Sequence, residues 1–107
     1  VIPVYIIVNW RDGAMKYVHI FITGRVQGVF YRAFTKKSGD DCGVKGWVRN
    51  VPDGRVEVFA VGAEDKIDSF TDKLRAGPPA SRVDDVDVTV IAPEDAEEEY
   101  SDFQILR

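Results

Sequence analysis

A chain of 107 residues with a formal net charge of −4 has room for one hydrophobic core and not two. Its apolar share of 45% and charged share of 30% are those of a globular domain in water. A single cysteine, Cys42, and a single histidine, His19, leave neither a disulfide framework nor a metal site built from thiolates or imidazoles. Charge is spread unevenly. Residues 84–102 hold nine acids and no base, whereas residues 24–55 hold Arg25, Arg32, Lys36, Lys37, Lys45, Arg49 and Arg55 against Asp40, Asp41 and Asp53. Such an acidic stretch repels nucleic-acid backbones while a local basic region still attracts a small anion, so neither a nucleic acid nor a membrane is the expected partner. The unpaired thiol points to the cytoplasm.

Taken in order, residues 1–16 open with VIPVYIIV, an apolar run interrupted by Pro3 and followed by a turn-like stretch. The run is too short to cross a bilayer and lacks the basic flank and cleavage site of a signal peptide. It reads as an N-terminal extension or expression leader, adding at most an edge strand, with the domain spanning residues 17–107. Residues 17–23 alternate, Val18, Ile20 and Ile22 on one face, and predict a half-buried strand. His19, on its other face, is expected at the surface or an edge.

Residues 24–32, GRVQGVFYR, then form the stretch richest in chemistry. Gly24 and Gly28 can take positive φ, which lets successive N–H groups converge on an anion. A helix opening near Arg32 adds its own unpaired N–H groups, and the guanidinium supplies full charge in a planar fork. The plainer reading is a tight strand-to-helix connection. A helix is predicted over residues 32–42 despite Gly39, with Gly43 as its terminator. Strands follow at residues 45–50 and 55–61, joined by Val51-Pro52-Asp53-Gly54, a reversal signal. Asn50, at the end of the first of these, is suited to capping that turn. Trp47 and Cys42 are expected in packing, and Arg25 and Arg49 as solvated charges.

Residues 63–76 carry Ile67, Phe70 and Leu74 at helical spacing, acids at Glu64 and Asp65, and Gly77-Pro78-Pro79 as a stop. Val86, Val88 and Val90 mark a fourth strand, Phe103 and Ile105 a short fifth, and EDAEEEYSD between them a solvated loop. The order β, α, β, β, α, β, β predicts an α+β, ferredoxin-like βαββαβ sandwich: a mainly antiparallel sheet of four to five strands with two helices on one face. Val18, Ile20, Ile22 and the apolar stripes of both helices would form the core.

Two spaced motifs resemble the signatures of the acylphosphatase family. In the first, Ile22, Gly24, Val26, Gln27, Gly28, Val29 and Arg32 match, and Tyr31 stands where Phe is usual. That hydroxyl needs a polar partner if it is buried. In the second, Gly46, Trp47, Val48, Arg49, Asn50, Gly54, Val56 and Gly62 match. The likeness continues through GPPASRVDDV and YSDFQI and covers residues 17–107.

The resemblance implies the ferredoxin-like fold and hydrolysis of acyl phosphates to carboxylate and inorganic phosphate, without metal, cofactor or covalent intermediate. It implies that the loop Gln27, Gly28, Val29, Phe30, Tyr31 and Arg32 binds phosphate, and that Arg32 and Asn50 are catalytic, Asn50 orienting the attacking water. A monomer is expected. Two other readings share the fold. A non-catalytic small-anion-binding regulatory or interaction domain would use the same loop without turnover. An RNA-binding module would need exposed aromatics and a basic sheet face; Phe21 and Phe59 are available, but the basic aromatic motif is missing.

Overall fold

The computed structural model describes residues 15–95 and 101–106. The extension expected over residues 1–16 falls almost wholly outside the described residues, as does the middle of the acidic run. Within them the order is β1 (Met15–Arg25), α1 (Tyr31–Cys42), β2 (Lys45–Asn50), β3 (Val56–Ala63), α2 (Glu64–Ala76), β4 (Arg82–Ile91), a 3₁₀ turn (Pro93–Asp95) and β5 (Phe103–Ile105). The sheet runs β4-β1-β3-β2-β5, with β5 parallel to β2 and the other pairs antiparallel. This is the predicted α+β, ferredoxin-like arrangement.

Alternation along β1 and β3 sends Val18, Ile20, Ile22, Val56, Val58 and Ala60 to the helix side, where all are fully buried. Ile67, Phe70 and Leu74 of α2 meet them at the predicted spacing. The acids of the first turn of α2 and Lys73 and Arg75 in its last turn complement the helix dipole.

Helix α1 departs from the expected apolar stripe. Its buried residues are Tyr31, Thr35, Ser38 and Gly39. The reason lies in β5: a Cβ at Gly39 would stand 2.7 Å from the ring of Phe103. Small residues let the helix settle on that ring, which itself packs against Phe70 at 5.6 Å between centroids. Gly43 ends α1 in the left-handed conformation, as its position predicts.

Gly24 also differs from expectation. It belongs to β1 rather than to the loop, at a register shift against β4 where a Cβ would collide with the Arg82 carbonyl oxygen. Its service is close strand approach, not anion contact. His19 takes the surface position of the two expected for it: it is partly exposed on the helix-free face of an interior strand, and its Nε2 lies 2.6 Å from Glu57 Oε2.

Candidate active site

The stretch between β1 and α1 is fixed to the core at two points by Val26 and Val29, both buried. Between them Gly28 takes φ 74°, where a side chain would meet nothing within 4 Å. The side chain of Gln27 turns away from this opening. Its Nε2 donates to the carbonyl oxygens of Val51 at 2.8 Å and Arg55 at 2.9 Å, tying the loop to the β2–β3 turn.

Helix α1 opens at Tyr31 directly after Phe30, a non-glycine residue at φ 63°. No side chain caps this end and no acid occupies its first turn. The N–H groups of Tyr31, Arg32 and Ala33 therefore have no intrahelical acceptor, and the positive end of the helix dipole is unopposed locally. Tyr31 secures the helix start: its ring is buried and its hydroxyl donates to the Leu74 carbonyl oxygen at 2.6 Å. That bond supplies the polar partner its burial demands and pins α1 to the last turn of α2. Burial pushes the phenol above its usual range, so it stays neutral.

The guanidinium of Arg32 is held from the far end of the chain. Its Nη1 lies 3.5 Å from the Leu106 carbonyl oxygen, a long contact, while Leu106 N–H donates to Val48 O at 2.8 Å. Asn50 closes β2 opposite Val56. Its Oδ1 is buried and accepts no hydrogen bond from the described residues. The turn that Asn50 could have capped is held by other groups: Val51 N–H to Arg55 O at 2.9 Å, Gly54 N–H to Val51 O at 3.1 Å, and Arg55 N–H to Asp53 Oδ1 at 3.0 Å.

These elements enclose a cleft of about 350 Å³ lined by Val26, Gly28, Phe30, Tyr31, Arg32, Ala33, Asn50 and Ile105. No Asp, Glu or His stands among these lining residues. Free amides, one guanidinium and an unpaired amide oxygen are thus gathered in a site without negative charge, which suits a small anion. Among the described residues no three His, Cys, Asp or Glu side chains group as metal ligands.

Of the residues expected at the site, the cleft brings together Gly28, Phe30, Tyr31, Arg32 and Asn50. Gln27 and Val29 are not among its lining residues; one ties the loop and the other is buried under it. Sequence reasoning missed Ile105 and Leu106, which parallel pairing of β5 with β2 brings beside the loop, Ile105 opposite Val48 and Leu106 reached by Arg32 across 74 residues of chain. No local pattern signals such a contact. Arg49, expected to be solvated, donates from Nε to Glu57 Oε1 at 2.6 Å and lies 5.3 Å above the Trp47 ring. Trp47 packs as expected, stacked on Phe59. Phe59 is buried, which removes one of the exposed aromatics that RNA binding would need.

The acylphosphatase family model matches residues 18–105. The chain is 44% identical over 93 residues to an acylphosphatase of Methylococcus capsulatus, covering 87% of this chain and 98% of that protein. Among solved structures it is similar to an acylphosphatase from Bacillus subtilis, with TM-score 0.79 and 38% identity over 87% of this chain and 99% of the other. An acylphosphatase from Coxiella burnetii is equally similar in shape, TM-score 0.79 with 34% identity, covering 90% and 96% of the two chains.

Proposed function

Because the chain belongs to the acylphosphatase family and hydrolyses acyl phosphates to carboxylate and inorganic phosphate, we propose that Arg32 and the opening amides of α1 hold the phosphoryl group while Asn50 places the attacking water. The observation that carries this assignment is the buried Oδ1 of Asn50, unpaired in the cleft that Arg32 lines. A buried acceptor left unsatisfied costs about 1–3 kcal/mol. An Asn that served only its turn would have spent that oxygen on the turn.

The chemistry asks for little more. The carboxylate formed is a good leaving group, and phosphoryl transfer depends mainly on alignment and charge stabilisation. Arg32 offers paired donors to two phosphoryl oxygens, and the helix amides offer fixed dipoles that need no reorganisation. The Asn50 oxygen accepts a hydrogen bond from water and orients its lone pair toward phosphorus. With no carboxylate or imidazole among the lining residues, the water's proton passes to a phosphoryl oxygen of the substrate itself. Arg32 and Asn50 do this work as cation-independent hydrogen-bonding groups, so turnover is expected to survive a metal chelator. The acidic stretch supports a small-molecule substrate rather than a nucleic acid, and the unpaired Cys42 supports a reducing compartment such as the cytoplasm.

Asn50→Ala separates the two roles. The variant should bind inorganic phosphate nearly as the parent does, while single-turnover hydrolysis of acetyl phosphate, with chelator present, falls by about a hundred-fold or more. A turn cap would lose about 1 kcal/mol of stability and keep its rate per folded molecule; that result removes Asn50 from the catalytic machinery. A parent that binds phosphate and turns over no acyl phosphate would make this an anion-binding domain.

A further inference from the structure

Phe30 is the one residue of the cleft whose side chain neither the fold nor the phosphoryl chemistry explains. It is 82% exposed, and it is the only non-glycine residue at positive φ among the described residues. A bulky residue is disfavoured there, where Gly or Asn fits easily. Its side chain contributes no helix cap. Among the described residues the other large hydrophobic side chains that stand exposed, Met15 and Val90, lie on β1 and β4 away from the cleft. A strained backbone that holds an aromatic ring in water at a binding site is the signature of a contact made by the ligand.

We propose that Phe30 is the platform for the acyl group, and that the enzyme favours acyl phosphates whose carbonyl carries an aromatic or similarly flat apolar group. This rests on the cleft being the acyl phosphate site. The phosphoryl end is held by the first amides of α1, whose N-cap residue is Phe30, so the group attached through the anhydride oxygen lies within reach of that ring. Val26, Ala33 and Ile105 line the same cleft, so the acyl group meets apolar surface beside the polar groups of Arg32 and Asn50. An alkyl stub such as acetyl gains little from a ring face, whereas an aryl group gains area and an offset or edge contact.

The test is a ratio, kcat/KM for benzoyl phosphate over kcat/KM for acetyl phosphate, measured in the parent, Phe30→Tyr, Phe30→Asn and Phe30→Gly. Each ratio cancels whatever a substitution does to the phosphate cradle, and the intrinsic reactivity of the two anhydrides cancels between proteins. Asn and Gly both accept the left-handed backbone, so those variants should fold, which thermal unfolding checks. The expected ratio falls by about three- to ten-fold in Phe30→Asn and Phe30→Gly, the size of one aromatic contact, and stays within about two-fold of the parent in Phe30→Tyr, which keeps the ring. A ratio unchanged in Asn and Gly overturns the proposal, as does one that falls equally in Tyr. Failure of the underlying reading looks different, since the parent would then turn over neither substrate.

Discussion

Arg49 and Asn50 are consecutive on β2 and point to opposite faces of the sheet, and the two faces solve the burial of polar groups in opposite ways. On the helix-free face, Glu57 is buried but receives Arg49 Nε and pairs with His19 Nε2, each at 2.6 Å. Aromatic rings close round the group: His19 meets Phe21 edge-on at 4.8 Å, and Arg55 lies 4.1 Å over Phe21. At the cleft, one residue along, Asn50 Oδ1 is buried with no hydrogen-bond partner among the described residues, and no side chain caps the opening amides of α1. A satisfied network adds rigidity and offers nothing to a ligand, whereas an unsatisfied one stores binding capacity. Charge alone would not have told the two sides apart, because each carries an arginine.

The sharpest way to break this division is to alter each arginine in turn. Arg32→Lys keeps the charge and loses the planar fork, so inorganic phosphate affinity should weaken by roughly ten- to a hundred-fold, the value of a charge-assisted bond of about 1.5–3 kcal/mol. Arg49→Gln should leave phosphate binding and turnover within about two-fold of the parent. Equal damage from both, read by calorimetric phosphate titration of folded protein, would show that the faces act as one unit.

A smaller effect is expected where the loop meets the hairpin. Gln27→Glu keeps the shape of the side chain but exchanges its double donor for an acceptor facing two carbonyl oxygens, those of Val51 and Arg55. Stability should fall by about 1–3 kcal/mol in urea unfolding, or several degrees in Tm for a domain of this size. Turnover should drop with it, since a loose loop blurs the cradle. If stability is untouched, the tie is incidental and the loop is positioned by Val26 and Val29 alone.

Much of this was legible in residue order, for identifiable reasons. Period-two alternation placed Val18, Ile20 and Ile22, and helical spacing placed Ile67, Phe70 and Leu74, because burial of apolar surface dominates both. Arg32 and Asn50 stood out because the two motifs bracket them, and the structure puts them on one cleft. What stayed hidden is what depends on distant partners. Gly24 looks like a loop glycine until β4 is laid against it, and Gly39 looks like a weak point in a helix until Phe103 arrives. Gln27 gives no sign that its side chain serves the β2–β3 turn. Met15–Arg25 runs longer at both ends than residues 17–23 because pairing with β3 and β4, not composition, sets strand length.

The gentlest probe of the comparison is acid. Burial pulls the Glu57 carboxyl upward, but hydrogen bonds from Arg49 and His19 and their charges outweigh it, and the net result is a carboxyl held below its usual range. A carboxyl depressed on folding releases its proton more readily in the native state, so it adds stability above its unfolded value, near pH 4.5. That contribution is lost as pH falls from there through the lower folded value. Glu57→Gln removes the titration, so the acid limb of a stability-against-pH curve should be shallower in the variant, and the two curves should converge below the folded value. Asp41, Asp53 and Asp84 are also held low by their basic neighbours, but they titrate in both proteins and drop out of the difference. Near neutral pH the variant should be less stable by about 1 kcal/mol, because Arg49 is half-exposed and water takes over part of its role. Turnover at pH 7 should be unchanged. Parallel curves at all pH values would show that the Glu57 network contributes no net charge stabilisation, and a loss of turnover would carry its influence through β2 to Asn50.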